Sequence, residues 1–500
     1  MHAMALAVLV LTGSCRQAPT MVPGVFTVRS FGAVGDGVAD DTHAFQAAID
    51  AAAKVGGTVF VDPVEGGKGY VLTHTVTLRA GTSLVGSLAG MPFIAWEGVP
   101  RSMQVGAVIL ARPAPEEYNG VRRRPLVPKR PLFYLSGGNT IRGLYILYDR
   151  QPWPSDAEFD KPGSPYHYDT LADLTKRFIP EHVAPCGPTI MVAPGCASTT
   201  IEDITCGRYY DFFYAPAGGK IIVRRIYLYG YHRAFAMREA RDVVRISEIH
   251  LVPNIELPIS WEHAKLQAAI TASRENILFD FGSTDGYSVT DVAAFLVHTG
   301  FKLGASAANP FHDPITGENV SFKFGQGPWG SIENVKLDNC VVGFDCVTGT
   351  ILPNQLTNIM VHVSIAPGET FPAAGGAVGR QAAFIAEPDF AGGTLQIANL
   401  SLSSFGPTSV VATGQMVQQA NGRAFLIDCP TGQPRIDYAD RGAANIEIFG
   451  LVISNIPADH LFAATPGTKS SVRVRGFVHN GVAQGDLNLG DASLLKTGPR

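Results

Sequence analysis

A four-residue pattern of apolar, polar, polar and apolar positions recurs along the chain. Its clearest copies lie at 201–204, 223–226, 246–249, 289–292 and 332–335, at intervals of 22, 23, 43 and 43 residues. The later intervals are close to double the earlier ones. Because such a period is typical of stacked repeats, and each copy is β-branched and flanked by turn residues, it predicts an all-β, single-stranded right-handed parallel β-helix. A β-sandwich with accidental spacing is the alternative.

The third position of the pattern is polar in the copies that carry Asp203, Glu248, Asp291 and Asn334. Residues at the same offset in consecutive coils of a parallel stack lie about 4.8 Å apart along the axis. We therefore expect these side chains to form a polar ladder at a turn, with a structural role.

An amphipathic helix is predicted near the N-terminus, from Ala44 to Lys54, with Phe45, Ala48, Ile49 and Ala52 on one face. Asp40 or Asp41 can cap its free N–H groups, and a strand follows over 58–61. This helix is predicted to cover the open first coil, whose unpaired backbone would otherwise invite aggregation.

The segment around this helix resembles a known family. Phe31 to Thr42 reads Phe-Gly-Ala-Val-Gly-Asp-Gly-Val-Ala-Asp-Asp-Thr, and Gly-Gly-Thr-Val-Phe-Val follows the helix. Together they resemble the N-terminus of the pectate-lyase-like right-handed β-helix superfamily, which includes polygalacturonase-related proteins (glycoside hydrolase family 28-like) and phage tailspike-like proteins. The resemblance implies the fold, and leaves open whether the protein is a hydrolase, a lyase, an epimerase or a non-catalytic binder.

Composition agrees with a turn-rich β protein. Charged residues make up 16% of the chain, below the usual ~25%, while glycine (54) and proline (34) are abundant. The net charge of −4 does not indicate nucleic acid as a partner. We expect one β-helix domain over 21–500, with long loops at about 86–130 and 149–186 that wall a groove, in a monomer or a homotrimer.

The first residues suggest export from a bacterial cell. Residues 1–20 are predicted to be a signal peptide or a lipoprotein signal, because a short apolar run from Ala5 to Leu11 precedes Gly-Ser-Cys. Cys15 would then carry a lipid anchor, and the protein would be periplasmic, outer-membrane-anchored or extracellular. The other cysteines either pair, as Cys340 with Cys346 or Cys186 with Cys196, or are buried thiols.

Candidate catalytic carboxylates share an offset. Asp242 and Asp285 each precede a copy of the repeat by four residues, which predicts that they lie two coils and roughly 9–10 Å apart. Side chains leaning together could reach the ~6.5–9.5 Å separation of an inverting glycosidase pair. Residues 283–286, Ser-Thr-Asp-Gly, also resemble the Asn-Thr-Asp-Gly motif of polygalacturonase-type glycosidases, in which the Asp is catalytic. Glu262 and His263, expected on the intervening coil, could take either role.

Candidate substrate-binding residues are basic or aromatic. They are Arg233, Arg241, Arg245, Lys265, Tyr231 and Trp261. Residues 220–245 hold seven basic side chains against two acidic ones, an excess that would attract an acidic sugar. The alternative is that these bases decorate the outer surface of the solenoid.

These observations predict an exported carbohydrate-active enzyme that hydrolyses an acidic polysaccharide without a metal or other cofactor. Two alternatives stay open. One is a polysaccharide lyase, in which a base removes the proton beside a uronate carboxylate, in many cases with the help of Ca²⁺. The other is a non-catalytic, tailspike-like glycan-binding solenoid.

Overall fold

The computed structural model of the chain describes residues 24–65, 68–87, 106–113, 130–252, 263–304, 311–321, 327–349, 352–363, 382–386, 390, 393–404, 423–427, 445–454, 462–464 and 471–489. Its helices are a 3-10 helix at Val28–Phe31 and four α-helices: α1 (Thr42–Ala53), α2 (Asp156–Asp160), α3 (Leu171–His182) and α4 (Ala264–Ala272). None of the helices in these ranges has the length and apolar content needed to cross a membrane.

Strands make up most of the described structure. In chain order they are β1 (Val25–Thr27), β2 (Thr58–Val61), β3 (Tyr70–Leu72), β4 (Val76–Leu78), β5 (Ser83–Gly86), β6 (Val108–Ala111), β7 (Phe133–Leu135), β8 (Thr140–Leu147), β9 (Ile190–Val192), β10 (Cys196–Tyr209), β11 (Phe213–Gly230), β12 (Arg233–Leu251), β13 (Ile277–Phe281), β14 (Asp285–Phe295), β15 (Thr299–Leu303), β16 (Phe311–His312), β17 (Asn319–Val320), β18 (Trp329–Cys340), β19 (Val342–Cys346), β20 (Asn354–Val363), β21 (Ala382–Ala386), β22 (Thr394–Ser404), β23 (Arg423–Ile427), β24 (Asn445–Ser454), β25 (Phe462–Ala464), β26 (Ser471–His479) and β27 (Val482–Leu489).

Each coil contributes three strand segments separated by corners, as β11 illustrates. Its segments are 213–215, 221–224 and 226–228, and each pairs in parallel with the equivalent segments of neighbouring coils. We call the stack that contains 221–224 ladder 1, the stack that contains 226–228 ladder 2, and the stack that contains 213–215 ladder 3. The chain is therefore a right-handed parallel β-helix, as the repeat predicts.

The two 43-residue intervals are single coils that carry insertions. Ile246 pairs directly with Val289, and Val289 with Ile332, so β12, β14 and β18 are consecutive neighbours in ladder 1. The first interval holds α4, and the second holds the hairpin β16–β17. The prediction that these intervals span two coils is wrong, because an insertion at a corner lengthens the sequence without adding a rung.

The corner between ladders 1 and 2 carries the predicted polar ladder. Asp291, Asn334, Asn358 and Asn399 all have φ of 54–56°, in the left-handed region that Asn and Asp tolerate better than other side chains. Each Asn side-chain amide donates a hydrogen bond to the side-chain oxygen one coil earlier, at 3.0–3.1 Å. The expectation of a structural turn ladder is confirmed for Asp291 and Asn334, and Asp203 and Glu248 adopt the same positive φ, 54° and 56°.

Stacked phenylalanines fill the interior beside ladder 3. Consecutive rings from Phe235 through Phe279, Phe301 and Phe344 to Phe384 lie 4.6–5.2 Å apart between centroids. The strands place them in register, and the near-parallel rings are buried. Because alternate residues point to opposite faces of a strand, the residue that follows each phenylalanine faces outward.

The N-terminal motif forms turns and a helix as predicted. Asp36 accepts hydrogen bonds from the backbone N–H groups of Val38 and Ala39, and Asp40 accepts one from Thr42 at the start of α1. The helix buries the apolar face expected of it, Phe45, Ala48, Ile49 and Ala52. Its role as a cap of the first coil stays a prediction.

Two insertions pack together at the corner between ladders 2 and 3. Residues 149–186 contain α2 and α3, and the insertion of the later coil contains α4. Their apolar faces form one buried cluster with Tyr229 and Tyr231. Of the predicted loop at 86–130, residues 88–105 and 114–129 lie outside the described residues.

A hairpin covers part of the outer surface of ladder 3. Residues 311–321, which we call the flap, contain β16 and β17. Phe311 lies against Tyr214, with ring centroids 5.8 Å apart, and the buried Tyr134 hydroxyl donates to Asp313 Oδ2 at 2.6 Å. The flap follows Leu303 in the sequence but contacts Tyr134, which lies several coils closer to the N-terminus. It therefore crosses the coils between these two positions.

The described cysteines are reduced thiols. Cys186, Cys206, Cys340 and Cys346 are buried and Cys196 is partly so, so neither of the disulfides considered from the sequence forms. Cys15 and the predicted signal at 1–20 lie outside the described residues, and the lipid anchor and export stay predictions.

Candidate functional site

The predicted carboxylate pair lies on neighbouring coils. Val244 pairs with Tyr287, which brings Asp242 and Asp285 to the same corner between ladders 3 and 1, one coil and about 4.8 Å apart. The predicted two-coil spacing is therefore wrong, because the residues between them form an insertion. Asp242 is exposed, and it and Val243 both have positive φ, 53° and 54°, a strained conformation for a β-branched residue.

Two other predicted residues lie at the opposite corner, within the helical layer. The ring of His263 is buried and stacks on Trp153, with centroids 5.7 Å apart. Lys265 forms an ion pair with Asp160, which ties α4 to α2. The structure does not bring His263 and Lys265 to Asp242 and Asp285, because the width of ladder 3 separates the two corners. Trp261 and Glu262 lie outside the described residues.

The tyrosine considered for sugar stacking is buried. Tyr231 has no exposed surface, and its hydroxyl donates to the carbonyl oxygen of Pro152. A buried ring of this kind contributes to packing between the first insertion and the coil. It offers no face to a substrate in this structure.

The basic excess between residues 220 and 245 is spread over several surfaces. Arg224 and Arg225 form ion pairs with Glu202 on ladder 1, and Arg225 also pairs with Asp203. Arg241 pairs with Glu239, and its side chain is exposed. Arg245 is exposed on the outer face of ladder 1, beside Ile222 and Ser288 in register. Arg233 and Arg238 also meet, at a buried carboxylate on ladder 3.

That site lies on the outer face of ladder 3, which we call face 3. The register aligns Tyr214, Ala236, Asp280, Lys302 and Asp345 in one row that crosses five coils. Each follows a core residue, so each side chain points outward. The helical insertions begin at one border of this face, and the flap, which begins at the other, covers the part of the face that contains Tyr214 and Ala236.

Asp280 is the centre of face 3. Its Oδ2 accepts hydrogen bonds from Arg238 at 2.6 Å and from Arg233 at 3.4 Å, and it is 3% exposed. Its other oxygen, Oδ1, is buried without a hydrogen-bond partner among the described residues. Burial alone would raise the pKa of Asp280, but Arg238 and Arg233 outweigh it and hold that pKa well below its ordinary value. Asp280 is therefore an ionised carboxylate with one uncommitted oxygen.

A chain of charged groups continues from Asp280 toward the surface. Arg233 also pairs with Asp211 through Nε at 3.3 Å, and His232 Nδ1 lies 2.7 Å from the same carboxylate oxygen. His232 Nε2 in turn lies 3.2 Å from Glu275, whose side chain is 46% exposed. Burial opposes the ionised form of Asp211, but Arg233 and His232 hold its pKa well below its ordinary value.

A buried carboxylate oxygen without a partner needs an explanation, such as an unobserved water or a catalytic role. Two guanidinium groups fix Oδ2 of Asp280. Only Oδ1 is therefore left to contact a ligand, a water or a reacting carbon. Asp345 lies two coils further along the row, about 9–10 Å away by the rung spacing, with Lys302 between them. No group of three or more potential metal-ligating side chains occurs among the described residues.

Of the charged residues on face 3, only Arg233 is predicted from the sequence as a candidate site residue. A signal was present, since Asp280 interrupts the apolar run Ile-Leu-Phe-Asp-Phe and Lys302 follows Gly-Phe and precedes Leu. A charged residue in a buried strand is costly unless it is paired, so such positions point to an ion pair or a site. The pairing partners could not be identified without the register.

Comparison with known proteins agrees with the N-terminal resemblance. Residues 25–111 match the family model described as rhamnogalacturonase A/epimerase, pectate lyase-like. A mannuronan C5-epimerase (AlgE6) of Azotobacter vinelandii is 41% identical over 105 residues, which cover 20% of this chain. The match spans 12% of the length of that relative. The predicted resemblance to the pectate-lyase-like β-helix superfamily is thereby confirmed.

Solved structures that align with most of this chain have low sequence identity to it. An exopolygalacturonase from Thermotoga maritima is 13% identical, with 94% of this chain and 95% of that chain covered and a TM-score of 0.40. The A-module of a mannuronan C-5 epimerase (AlgE4) of Azotobacter vinelandii is also 13% identical, with 91% and 95% covered and a TM-score of 0.41.

Proposed function

We propose that the protein is a carbohydrate-active enzyme that hydrolyses an acidic polysaccharide bound along face 3. The observation that carries this proposal is Asp280, an ionised, buried carboxylate with one oxygen held by two arginines and the other uncommitted. Hydrolysis of a glycosidic bond requires such a group, either to activate water or to stabilise positive charge that develops on the sugar.

A second carboxylate at a suitable distance completes the pair. In an inverting glycosidase the two carboxyl groups are ~6.5–9.5 Å apart, with one protonated and the other ionised. Asp280 and Asp345 are two coils apart, so their backbones lie about 9–10 Å from each other and inclined side chains reach that range. Because Asp280 is held ionised, it takes the role of base and Asp345 that of acid.

The cations of the same face account for an acidic substrate. Lys302 lies between the two carboxylates in the row, and Arg233 is 24% exposed at its edge. A uronate carboxylate is neutralised by groups of this kind, and a bidentate guanidinium contact also fixes its orientation. The confirmed family resemblance and the partial match to a relative named for mannuronan agree with a substrate of this class.

The decisive experiment compares Asp280→Asn and Asp345→Asn. Each is expected to lower kcat on a polyuronate by about 10²- to 10⁴-fold, as loss of a general acid or base does, while the polymer is still bound. Asp291→Asn is the matched control, because it places in the turn ladder the residue that the next coil already has. Full activity in both variants would refute the assignment to face 3.

Two further variants test the corner site. If Asp242→Asn and Asp285→Asn abolish cleavage while the face 3 variants do not, the corner carboxylates are the catalytic pair. Their separation of about one coil is closer to the ~5–5.5 Å of retaining enzymes, so NMR of the first-formed anomer would then show retention. An Asp280–Asp345 pair predicts inversion.

Proton abstraction beside a uronate carboxylate is the second candidate function. The arginines beside Asp280 and the partial match to a relative named as an epimerase favour it. Asp280 would then be the base, and the products would be an unsaturated uronate or an inverted sugar. Ultraviolet absorbance detects the first and proton exchange with D₂O the second; new reducing ends without either identify hydrolysis. Binding without any product identifies a non-catalytic glycan-binding protein.

A further inference from the structure

His232 is the buried member of the charged chain that has no place in the reaction described so far. It is 9% exposed and lies between two carboxylates, with Nδ1 2.7 Å from Asp211 and Nε2 3.2 Å from Glu275. Its ring stacks on Tyr210, with centroids 4.4 Å apart and planes 16° from parallel. Contacts on both nitrogens and on a ring face fix the position of the imidazole.

Asp211 connects this histidine to the candidate catalytic group. The oxygen that contacts His232 also accepts hydrogen bonds from the backbone N–H and the Nε of Arg233, at 3.2 and 3.3 Å. Arg233 then reaches Asp280 through Nη1 at 3.4 Å. Asp211 and Asp280 therefore share the guanidinium group of Arg233. The other hydrogen-bond partners of Asp211 determine how strongly Arg233 can interact with Asp280.

We propose that His232 is a positioning residue that, by satisfying Asp211, leaves Arg233 free to hold Asp280 in its ionised, oriented state. This inference rests on the proposed function of Asp280. Removal of the histidine leaves Arg233 as the remaining cationic partner of Asp211 among the described residues, so Arg233 moves toward Asp211. Asp280 then keeps Arg238 and loses part of the second cation.

The charged and titratable groups that face His232 come from three parts of the coil stack. Tyr210 and Asp211 belong to the preceding corner, Arg233 is its neighbour in β12, and Glu275 follows α4. Burial lowers the pKa of His232, but Asp211 and the hydrogen bonds to both carboxylates outweigh this and raise it. At the acidic pH at which Asp280 titrates, the histidine is therefore charged and paired.

The test is the variant His232→Gln, which keeps a side chain of similar size and removes the positive charge. We expect the acidic limb of the kcat/KM profile, which reports the ionisation of Asp280 in the free enzyme, to move upward by about one pH unit, the lower end of the ~1–3 units that an adjacent cation produces. His182→Gln is the matched control, since that histidine contacts Tyr168 in the helical layer and no member of the chain to Asp280. Its profile is expected to coincide with that of the unchanged protein.

A readout without substrate separates this inference from the proposed function. In protein labelled with ¹³C at the aspartate carboxyl carbon, the Asp280 resonance, assigned by its loss in Asp280→Asn, should titrate at higher pH in His232→Gln. If the protein cleaves no polysaccharide but this shift occurs, the proposed function fails and the coupling stands. If Asp280 titrates identically in both proteins, the coupling is refuted. If its resonance shifts but the kcat/KM limb does not move, Asp280 is not the group whose ionisation governs activity, and the proposed function fails while the coupling stands.

Discussion

The pair of Arg238 and Asp280 allows a quantitative test of how face 3 is held together. Arg238 is 5% exposed, and its Nη2 donates to Asp280 Oδ2 at 2.6 Å. In Arg238→Met the carboxylate remains buried with only the longer contact to Arg233, at 3.4 Å. Removal of one partner from a buried ion pair costs about 3–5 kcal/mol, because the remaining charge is left uncompensated. We expect a loss of that size in the free energy of unfolding.

The double variant Arg238→Met, Asp280→Leu is the informative comparison. The double variant removes both charges of the pair, and Arg233 still forms its ion pair with Asp211. Its loss in the free energy of unfolding should therefore be at least about 1 kcal/mol smaller than the sum of the two single losses. Urea unfolding monitored by circular dichroism gives the four free energies of the cycle. Arg225→Met is the control: its ion pair with Asp203 is partly exposed, and its other partner, the buried Glu202, keeps its ion pair with Arg224, so the loss should be only about 0–1 kcal/mol.

Two results would contradict this reasoning. If the single losses add to within about 0.5 kcal/mol, the two side chains are not energetically coupled, and the short contact has no special role. If Arg238→Met costs no more than Arg225→Met, the charge of Asp280 is compensated without Arg238, and Asp280 is not the arginine-held carboxylate on which the proposed chemistry depends.

Two further predictions concern the core and the pH dependence of stability. Phe301→Ala should cost about 3–5 kcal/mol in urea unfolding, because it opens a cavity between rings stacked at 4.6 and 4.9 Å, whereas Phe449→Ala, at a ring 46% exposed, should cost far less. Asp211 and Asp280 have lower pKa values in the folded state than in the unfolded chain. Their ionised forms therefore stabilise the fold at pH above the unfolded-state pKa of about 3.9, and this stabilisation is lost as the pH falls through their folded-state pKa values. Unfolding midpoints should therefore fall steeply in acid, and less steeply in Asp211→Asn; equal slopes would contradict the second prediction.

The parts of the fold that repeat locally could be predicted from the sequence. The apolar–polar–polar–apolar copies locate ladders 1 and 2 because their middle residues form the sharp corner at which Asp291 and Asn334 adopt positive φ. The strand Thr58–Val61 and the buried face of α1 follow from alternation and from helical periodicity in the same way. Each of these features is determined within a few residues, so no long-range information is needed.

The candidate site could not be predicted in this way, because insertions change sequence distance without changing spatial distance. Asp242 and Asp285 share an offset, yet the insertion that contains α4 makes a 43-residue separation equal to one coil. Asp280 and Asp345 are 65 residues apart and only two coils apart, and Lys302 between them follows after 22 residues. Only the pairing of β13, β15 and β19 shows that the three residues form one row.

The surroundings of the carboxylates favour Asp280 over Asp242 as the candidate catalytic group. Asp242 lies exposed at a corner, where water solvates its charge and where the described residues provide no arginine to fix its geometry. Asp280 is buried and held ionised by two guanidinium groups, and its Oδ1 has no hydrogen-bond partner among the described residues, so that burial of this oxygen carries an uncompensated desolvation cost. The preceding coil places the uncharged Ala236 at the same row position, so the ladder itself does not require a charge there. The charge at Asp280 is therefore better explained by a ligand or a reaction than by folding.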